Sequence, residues 1–292
     1  AGFSTGAVGF IGYETARFLE PSLASLPPSP VALPDMAIGF YDAVLRLDRC
    51  TGDAEIRARS AEAAERLRAR LLAPSPAIAP LPEAMIITDP GAGQQYRAAV
   101  AACREEILEG TIFQANITRR LQALFPGIDP DRAGLPLFER LHGVSGSPYG
   151  AFLQFAEGSI LSDSPEKYFS VTRQAEGAQV VAEPIKGTRR READPQADAQ
   201  IRAALLADRK DRAENVMIAD LVRNDLSRVC RDHSIREEAI CELRSFATVH
   251  HLISRISGTL RPGLDAVDLL AASFPCGSIT GAPKIRAMQV IA

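Results

Sequence analysis

Two stretches decide the architecture of this chain. Ala151-Phe-Leu-Gln-Phe155 and Ser159-Ile-Leu-Ser162 flank Glu157-Gly158; Tyr168-Phe-Ser-Val-Thr172 and Gln179-Val-Val-Ala-Glu183 flank Glu176-Gly177. Each pairs two alternating runs across a Glu-Gly turn, which predicts two antiparallel hairpins. Working outward, Tyr96, Val100, Cys103 and Ile107 recur at spacings of four, three and four and predict an amphipathic helix ending at Gly110. Lys210 to Val229 reads as a long helix, His250 to Leu260 as a strand, Asp265 to Phe274 as a helix, and Pro283 to Ala292 as a last helix opening on proline. Hairpins interleaved with long helices, without strict βαβ alternation, give the expected fold class: α+β, antiparallel β-sheets packed together and flanked by helices.

Towards the start, Glu20 to Met36 and Ala73 to Pro90 are proline-rich and read as connections. Between them lie an expected strand, Phe40 to Leu47, and an expected helix, Asp53 to Ala73. The resulting division is a 1–82 N-terminal region and an 83–292 core.

The 292 residues carry 33 basic and 36 acidic side chains, a net charge of −3. No basic footprint points to nucleic acid. No apolar run approaches the ~20 residues that cross a bilayer, and no signal-peptide pattern opens the chain, so neither membrane nor secretion is expected. Five scattered cysteines without a C-x-x-C pair fit reduced thiols and a cytoplasmic setting. Gly6-x-x-Gly9-x-x-Gly12 has the wrong spacing for a dinucleotide loop, and Pro283 stands where a phosphate loop needs glycine.

Only four lysines occur, Lys167, Lys186, Lys210 and Lys284. An arginine-rich background fills generic charge roles, and lysine alone can attack carbon as a free amine. Lys186 sits where an apolar strand meets a loop beside Gly187; Glu166 sits between two strands. Nucleophile and general acid is one reading of that pair, a salt bridge the other, and spacing leaves both open. On the long helix, Asp211 and Glu214 share a face and Asp225 returns to nearly the same azimuth. Clustered carboxylates suit magnesium; a solvated face paired with Arg212 and Arg223 is the plainer reading. Ser278 to Pro283 precedes a helix whose free amides can take a carboxylate, with Lys284 adding positive charge.

Five segments, in one order, resemble the chorismate-utilising enzymes: Ser-Pro-Glu166-x-x-Phe, Pro-Ile-Lys186-Gly-Thr, Lys210-x-x-Ala-Glu-Asn-x-Met-Ile-x-Asp-Leu-x-Arg-Asn-Asp-Leu226, Val-His-His251-Leu, and Phe-Pro-x-Gly-Ser278-Ile-Thr-Gly-Ala-Pro-Lys284. Gly-Thr-Ile-Phe-Gln114-Ala-Asn fits upstream, and the resemblance covers about residues 94 to 292. More weakly, Gly6 to Tyr13 resembles the tail of the family's N-terminal region. Within the family, a lysine that activates water in the isochorismate and salicylate synthases is replaced here by Gln114. Lys186 stands where anthranilate synthases carry Ala and many aminodeoxychorismate synthases carry Lys. The implied activity is amination of chorismate at C4 towards 4-aminobenzoate and folate. Anthranilate synthesis and a catalytically dead chorismate-binding relic remain alternatives.

The resemblance implies Lys186 as nucleophile, Glu166 as acid and His251, not His250, near the C4 substituent. It implies Gly187, Ser278, Thr280, Gly281 and Lys284 around the substrate, and Mg2+ held by Glu214 with Asp211. No Cys/His/Glu hydrolase pattern is present, so ammonia is expected from a separate glutamine amidotransferase subunit. Family members continue through a second magnesium glutamate and an Arg/Tyr/Gly-rich segment, so the chain is expected to be cut at both ends.

Overall fold

The computed structural model describes residues 5–25, 31, 33–48, 50–74, 86–88, 92–125 and 129–292. The centres of both proline-rich stretches and the division near residue 82 lie outside them. The first part runs β1 (Gly6–Ile11), a one-turn α1 (Ala16–Leu19), β2 (Met36–Tyr41), β3 (Ala43–Leu47), β4 (Ala54–Ala58) and α2 (Ala61–Leu72). There follow β5 (Ile86–Thr88), α3 (Ala92–Leu108), β6 (Gln114–Ala115), β7 (Gln122–Leu124), α4 (Pro130–Ser145), and the hairpins β8 (Tyr149–Phe155)/β9 (Gly158–Ser164) and β10 (Ser170–Gln174)/β11 (Gly177–Ala182). The remainder is β12 (Ile185–Arg190), α5 (Pro195–Ala207), α6 (Arg209–Ser227), β13 (Arg236–Ser245), β14 (Val249–Thr259), α7 (Ala266–Ser273), β15 (Gly281–Ala282) and α8 (Lys284–Ile291).

Mixed helices and antiparallel sheet make this an α+β fold. Both expected hairpins form, Phe152 opposite Leu161 and Thr172 opposite Gln179. The main sheet is built on β14, which pairs along one edge with β11 and then β12, and along the other with β13. Being central, β14 is almost wholly buried, and its Ile256 packs with Val180, Ala219, Leu226, Val229, Leu260 and Leu269. Each of the Ile, Val and Leu side chains contributes about 1.5–3 kcal/mol over leaving it in water.

Local chemistry fixes the helices that frame the site. Asp208 caps α6, its carboxylate accepting from Asp211 N at 3.0 Å. Asp194, followed by Pro195, caps α5. Asp265 and Asp268 form a capping box at α7. Helix α6 then lays Asn215, Ile218, Ala219 and Leu226 against β14.

Several expectations change. The strand expected over Phe40 to Leu47 breaks at Asp42 into β2 and β3, because they pair with different partners, β1 and β4. The helix expected from Asp53 begins only at Ala61, after the Ser60 cap; Ala54–Ala58 is recruited as a strand by β3. Lys186 lies within a strand rather than a loop, since β12 continues to Arg190 through a register shift at Gly187. Helices α4 and α5 and strand β13 come in addition to these elements: α4 holds Pro136 within its length, α5 carries weak periodicity, and β13 is charged and pairs irregularly.

Candidate active site

Three segments far apart in sequence meet at Ser278. Lys186 Nζ, on β12, donates to the Ser278 carbonyl at 3.2 Å. The Ser278 hydroxyl donates to Glu166 Oε2 at 3.1 Å, while Ile185 N donates to Glu166 Oε1 at 3.1 Å. Ser164 tightens the turn before Glu166, accepting from its N–H at 3.2 Å and donating to its carbonyl at 3.0 Å. Amine and carboxyl are thus one residue apart, each held by a different atom of Ser278. Burial pushes the Glu166 carboxyl above its usual range, against the pull of Ile185 N–H, Ser278 and the Lys186 charge. A carboxyl kept protonated to higher pH is suited to donating a proton.

The bulge at Gly187 brings the histidine in. Gly187 takes φ +80°, a conformation in which a β-carbon is strained, and the register steps from Lys186–Leu252 to Thr188–His251. Thr188 Oγ1 is 2.9 Å from His251 Nδ1, and the Phe246 ring meets the imidazole edge-on at 5.4 Å. Burial, opposed by a hydrogen bond to the Gly187 backbone, holds the His251 pKa below the ordinary value. The ring is therefore largely neutral at pH 7. His250 points the other way, fully buried, with Nε2 2.8 Å from Asp198 Oδ1 and Nδ1 2.8 Å from Ser245 Oγ. This is the alternation of a strand separating two adjacent histidines.

The segment from Cys276 to Lys284 folds against residues 113–116. Phe113 N donates to Ala282 O at 2.7 Å and Asn116 N to Thr280 O at 2.8 Å, placing Gln114 opposite Ala282. Gly281 is forced: a β-carbon there would stand 2.2 Å from Gln114 O and 2.7 Å from Ala287 Cβ. The Thr280 hydroxyl turns back into its own loop, towards Cys276 O at 3.2 Å and Gly277 O at 3.3 Å. Lys284, expected among the substrate ligands, is instead committed elsewhere. Its Nζ pairs with Asp225 at 2.6 Å and donates to Ser273 O at 2.5 Å, both partners being nearly buried.

That pairing also breaks up the carboxylate row expected on α6. Asp225 belongs to Lys284, Glu214 lies 3.3 Å from the exposed Lys210, and Asp211 Oδ2 is buried 2.9 Å from Arg189 Nη2, outside hydrogen-bond alignment. The plainer reading fails in its partners too, because Arg223 pairs with Asp220 and Glu237. Among the described residues no three His, Cys, Asp or Glu side chains stand close enough to hold a metal ion together. Asp211 does not fit as a metal ligand, its charge matched by arginine and its oxygen buried. Glu214, whose ion-pair partner is the exposed Lys210, could meet the lesser demand of Mg2+, which takes one or two carboxylates and completes its shell with other oxygens and water.

Thr188 and Asn215 lie within the family-like segments, and sequence alone assigns neither a contact. Only the bulged register and the helix–sheet contact reveal what they touch.

The chain matches the model of the chorismate binding enzyme family over residues 2–292. It is 40% identical to aminodeoxychorismate synthase component 1 of Salmonella typhimurium, over 99% of this chain and 61% of that protein. It is 35% identical to anthranilate synthase component 1 of Methanothermobacter thermautotrophicus, over 99% and 59%. The crystal structure of anthranilate synthase component I from Streptococcus pneumoniae superposes with a TM-score of 0.82 at 28% identity, covering 99% of this chain and 65% of that one. The chain thus spans about three fifths of the length of the curated relatives it matches. With the match running almost end to end, and Glu166, Lys186 and Ser278 gathered at one point of the fold, this chain belongs to the chorismate binding enzyme family.

Proposed function

We propose that the protein aminates chorismate at C4, giving 4-amino-4-deoxychorismate, as an aminodeoxychorismate synthase component I. The observation that carries this reading is the convergence of Lys186 and Glu166 on Ser278. An amine and a raised-pKa carboxyl held this close suit an addition in which one attacks while the other protonates a departing hydroxyl.

In this mechanism the free amine of Lys186 attacks C2 of the diene. The double bond shifts, and the C4 hydroxyl leaves as water with the proton of Glu166. The Glu166 carboxylate left behind takes the extra proton of the Lys186 adduct. Ammonia then enters at C4, the diene is restored, and Glu166 returns that proton to the Lys186 nitrogen as the C2–N bond breaks, freeing the neutral amine. The proton released by the incoming ammonia resets Glu166. The sum is chorismate plus ammonia giving the aminated product plus water. Neutral His251, fixed by Thr188, would lie near the C4 substituent, where it can accept a proton from the incoming ammonia. Gly187, Ser278 and Gly281 would offer backbone groups to the substrate. Glu214 would hold Mg2+, which when bound supplies a positive charge for the ring carboxylate. The relatives' designation as component 1 supports a second component, which we assign as a glutamine amidotransferase that delivers ammonia.

The deciding experiment incubates full-length protein with chorismate, Mg2+ and ammonium and identifies the product by mass spectrometry. The reading expects 4-amino-4-deoxychorismate and, on rapid quenching, a covalent adduct lost in Lys186→Ala. Anthranilate with pyruvate would overturn it in favour of the tryptophan-branch activity, and chorismate binding without turnover in favour of a relic.

A further inference from the structure

Asn215 follows Glu214 on α6 and is completely buried. Its Nδ2 donates to the Leu252 carbonyl on β14 at 2.9 Å, and its Oδ1 accepts from the Ser254 hydroxyl. Ser254, also completely buried, accepts from Cys241 N of β13 at 3.0 Å, and its own N–H donates to Pro184 O at 3.1 Å. Both amide functions of Asn215 are therefore spent on one strand, and that strand is in turn tied to β13 and to the corner that leads into β12. Leu252 is the register partner of Lys186 and the neighbour of His251. A single side chain thus connects the helix carrying Glu214 to the strand carrying the imidazole, whose register partner β12 carries the amine.

Apolar packing is non-directional and fixes the slide and roll of a helix on a sheet less sharply than hydrogen bonds do. Two directional bonds to a fixed strand remove both freedoms, because translation or rotation of α6 would leave buried polar groups unpaired. Cys241, whose φ of +52° lies in the left-handed region at a register shift of β13, keeps its N–H on Ser254 in this arrangement.

We propose that Asn215 is a positioning residue that sets the register of α6 on β14, and so the place of Glu214 relative to Lys186 and His251. This rests on the reading of Glu214 as the metal-holding carboxylate. Partners that orient a ligand from behind typically control 10–100-fold in metal affinity or activity.

The test uses full-length protein and Mn2+ alone, its binding followed by electron paramagnetic resonance. Alongside it run C4 amination kinetics and urea unfolding of wild type, Asn215→Leu, Ser254→Ala and Glu214→Gln. Asn215→Leu keeps the number and branching of the side-chain heavy atoms, though not their volume, and removes both bonds; we expect Mn2+ affinity and kcat to fall about 10–100-fold. Ser254→Ala should shift both in the same direction by less, and it decides the matter if Asn215→Leu does not fold. Lower urea midpoints with wild-type Mn2+ affinity in the folded variants would overturn the proposal and leave Asn215 a stability residue. Wild-type Mn2+ affinity in Glu214→Gln would instead refute the reading of Glu214 itself.

Discussion

Replacing Lys284 by methionine removes one half of an ion pair that has almost left water. The two side chains are 11% and 9% exposed and their charged atoms stand 2.6 Å apart. Burial pushes the Asp225 carboxyl above its usual range even with the lysine beside it. Without that amine the carboxylate and the Ser273 carbonyl have lost their partner, and breaking a buried pair from one side costs about 3–5 kcal/mol. For a chain of this size that is a fall in melting temperature of roughly 6–20 °C. The chain has no tryptophan, so urea unfolding is best followed by far-ultraviolet circular dichroism at constant m. The pH dependence has a fixed sign. Lys284 draws the Asp225 pKa down, so removing it raises the folded value further. A carboxyl raised in the fold loses stability as pH rises, and the Lys284→Met deficit should therefore be larger at pH 8 than at pH 5. The double variant Asp225→Leu/Lys284→Met removes both charges and should recover most of the loss, since apolar replacements of buried pairs are near neutral. A single-variant loss below about 1 kcal/mol, the range of exposed pairs, would refute the claim that this amine is structurally committed.

Glu166→Gln keeps the hydrogen bond from Ser278 but cannot give up a proton; amination should fall roughly 10²–10⁴-fold, with chorismate binding, measured by calorimetry, nearly unchanged. Gly281→Ala places a methyl 2.2 Å from a backbone oxygen; the strand pairing of β15 with β6 must open, and the melting temperature should drop by several degrees, whereas alanine at Gly110, where nothing lies within 4 Å, meets only the backbone strain of φ +77°. Glu183 loses from burial but gains more from Lys167, Arg244 and Arg255, which bring its pKa down to about 2. Its contribution is therefore complete above the unfolded value near 4.5 and disappears as pH falls towards 2. Urea midpoints of wild type and Glu183→Gln should converge on acidification across that window.

Much of this molecule was legible in one dimension. The Glu-Gly hairpins, the long α6 and the buried β14 follow from short-range periodicity and turn chemistry, which are properties of contiguous residues. The segments holding Lys186, Glu166 and Ser278 could likewise be singled out, because unusual residue types sit at strand ends and helix starts; His251 came only from the family resemblance. Strand β13 was missed because its exposed face is charged and its pairing is irregular. The split at Asp42 was missed because the partners of β2 and β3 lie on opposite sides of it in the chain.

What the sequence determined by itself was the kind of elements, the family resemblance and the list of chemically able side chains. Which charge answers which was decided only in three dimensions. Spacing on α6 grouped Asp211, Glu214 and Asp225, since a helix returns residues to one azimuth; packing then gave each a different cation, supplied by β12, by α6 itself and by α8. The same holds for Lys284, whose place at a helix start suggested anion binding until the fold brought a buried carboxylate to it. Coulomb energy depends on distance and burial, and both come from contacts between residues tens of positions apart, which no local pattern encodes.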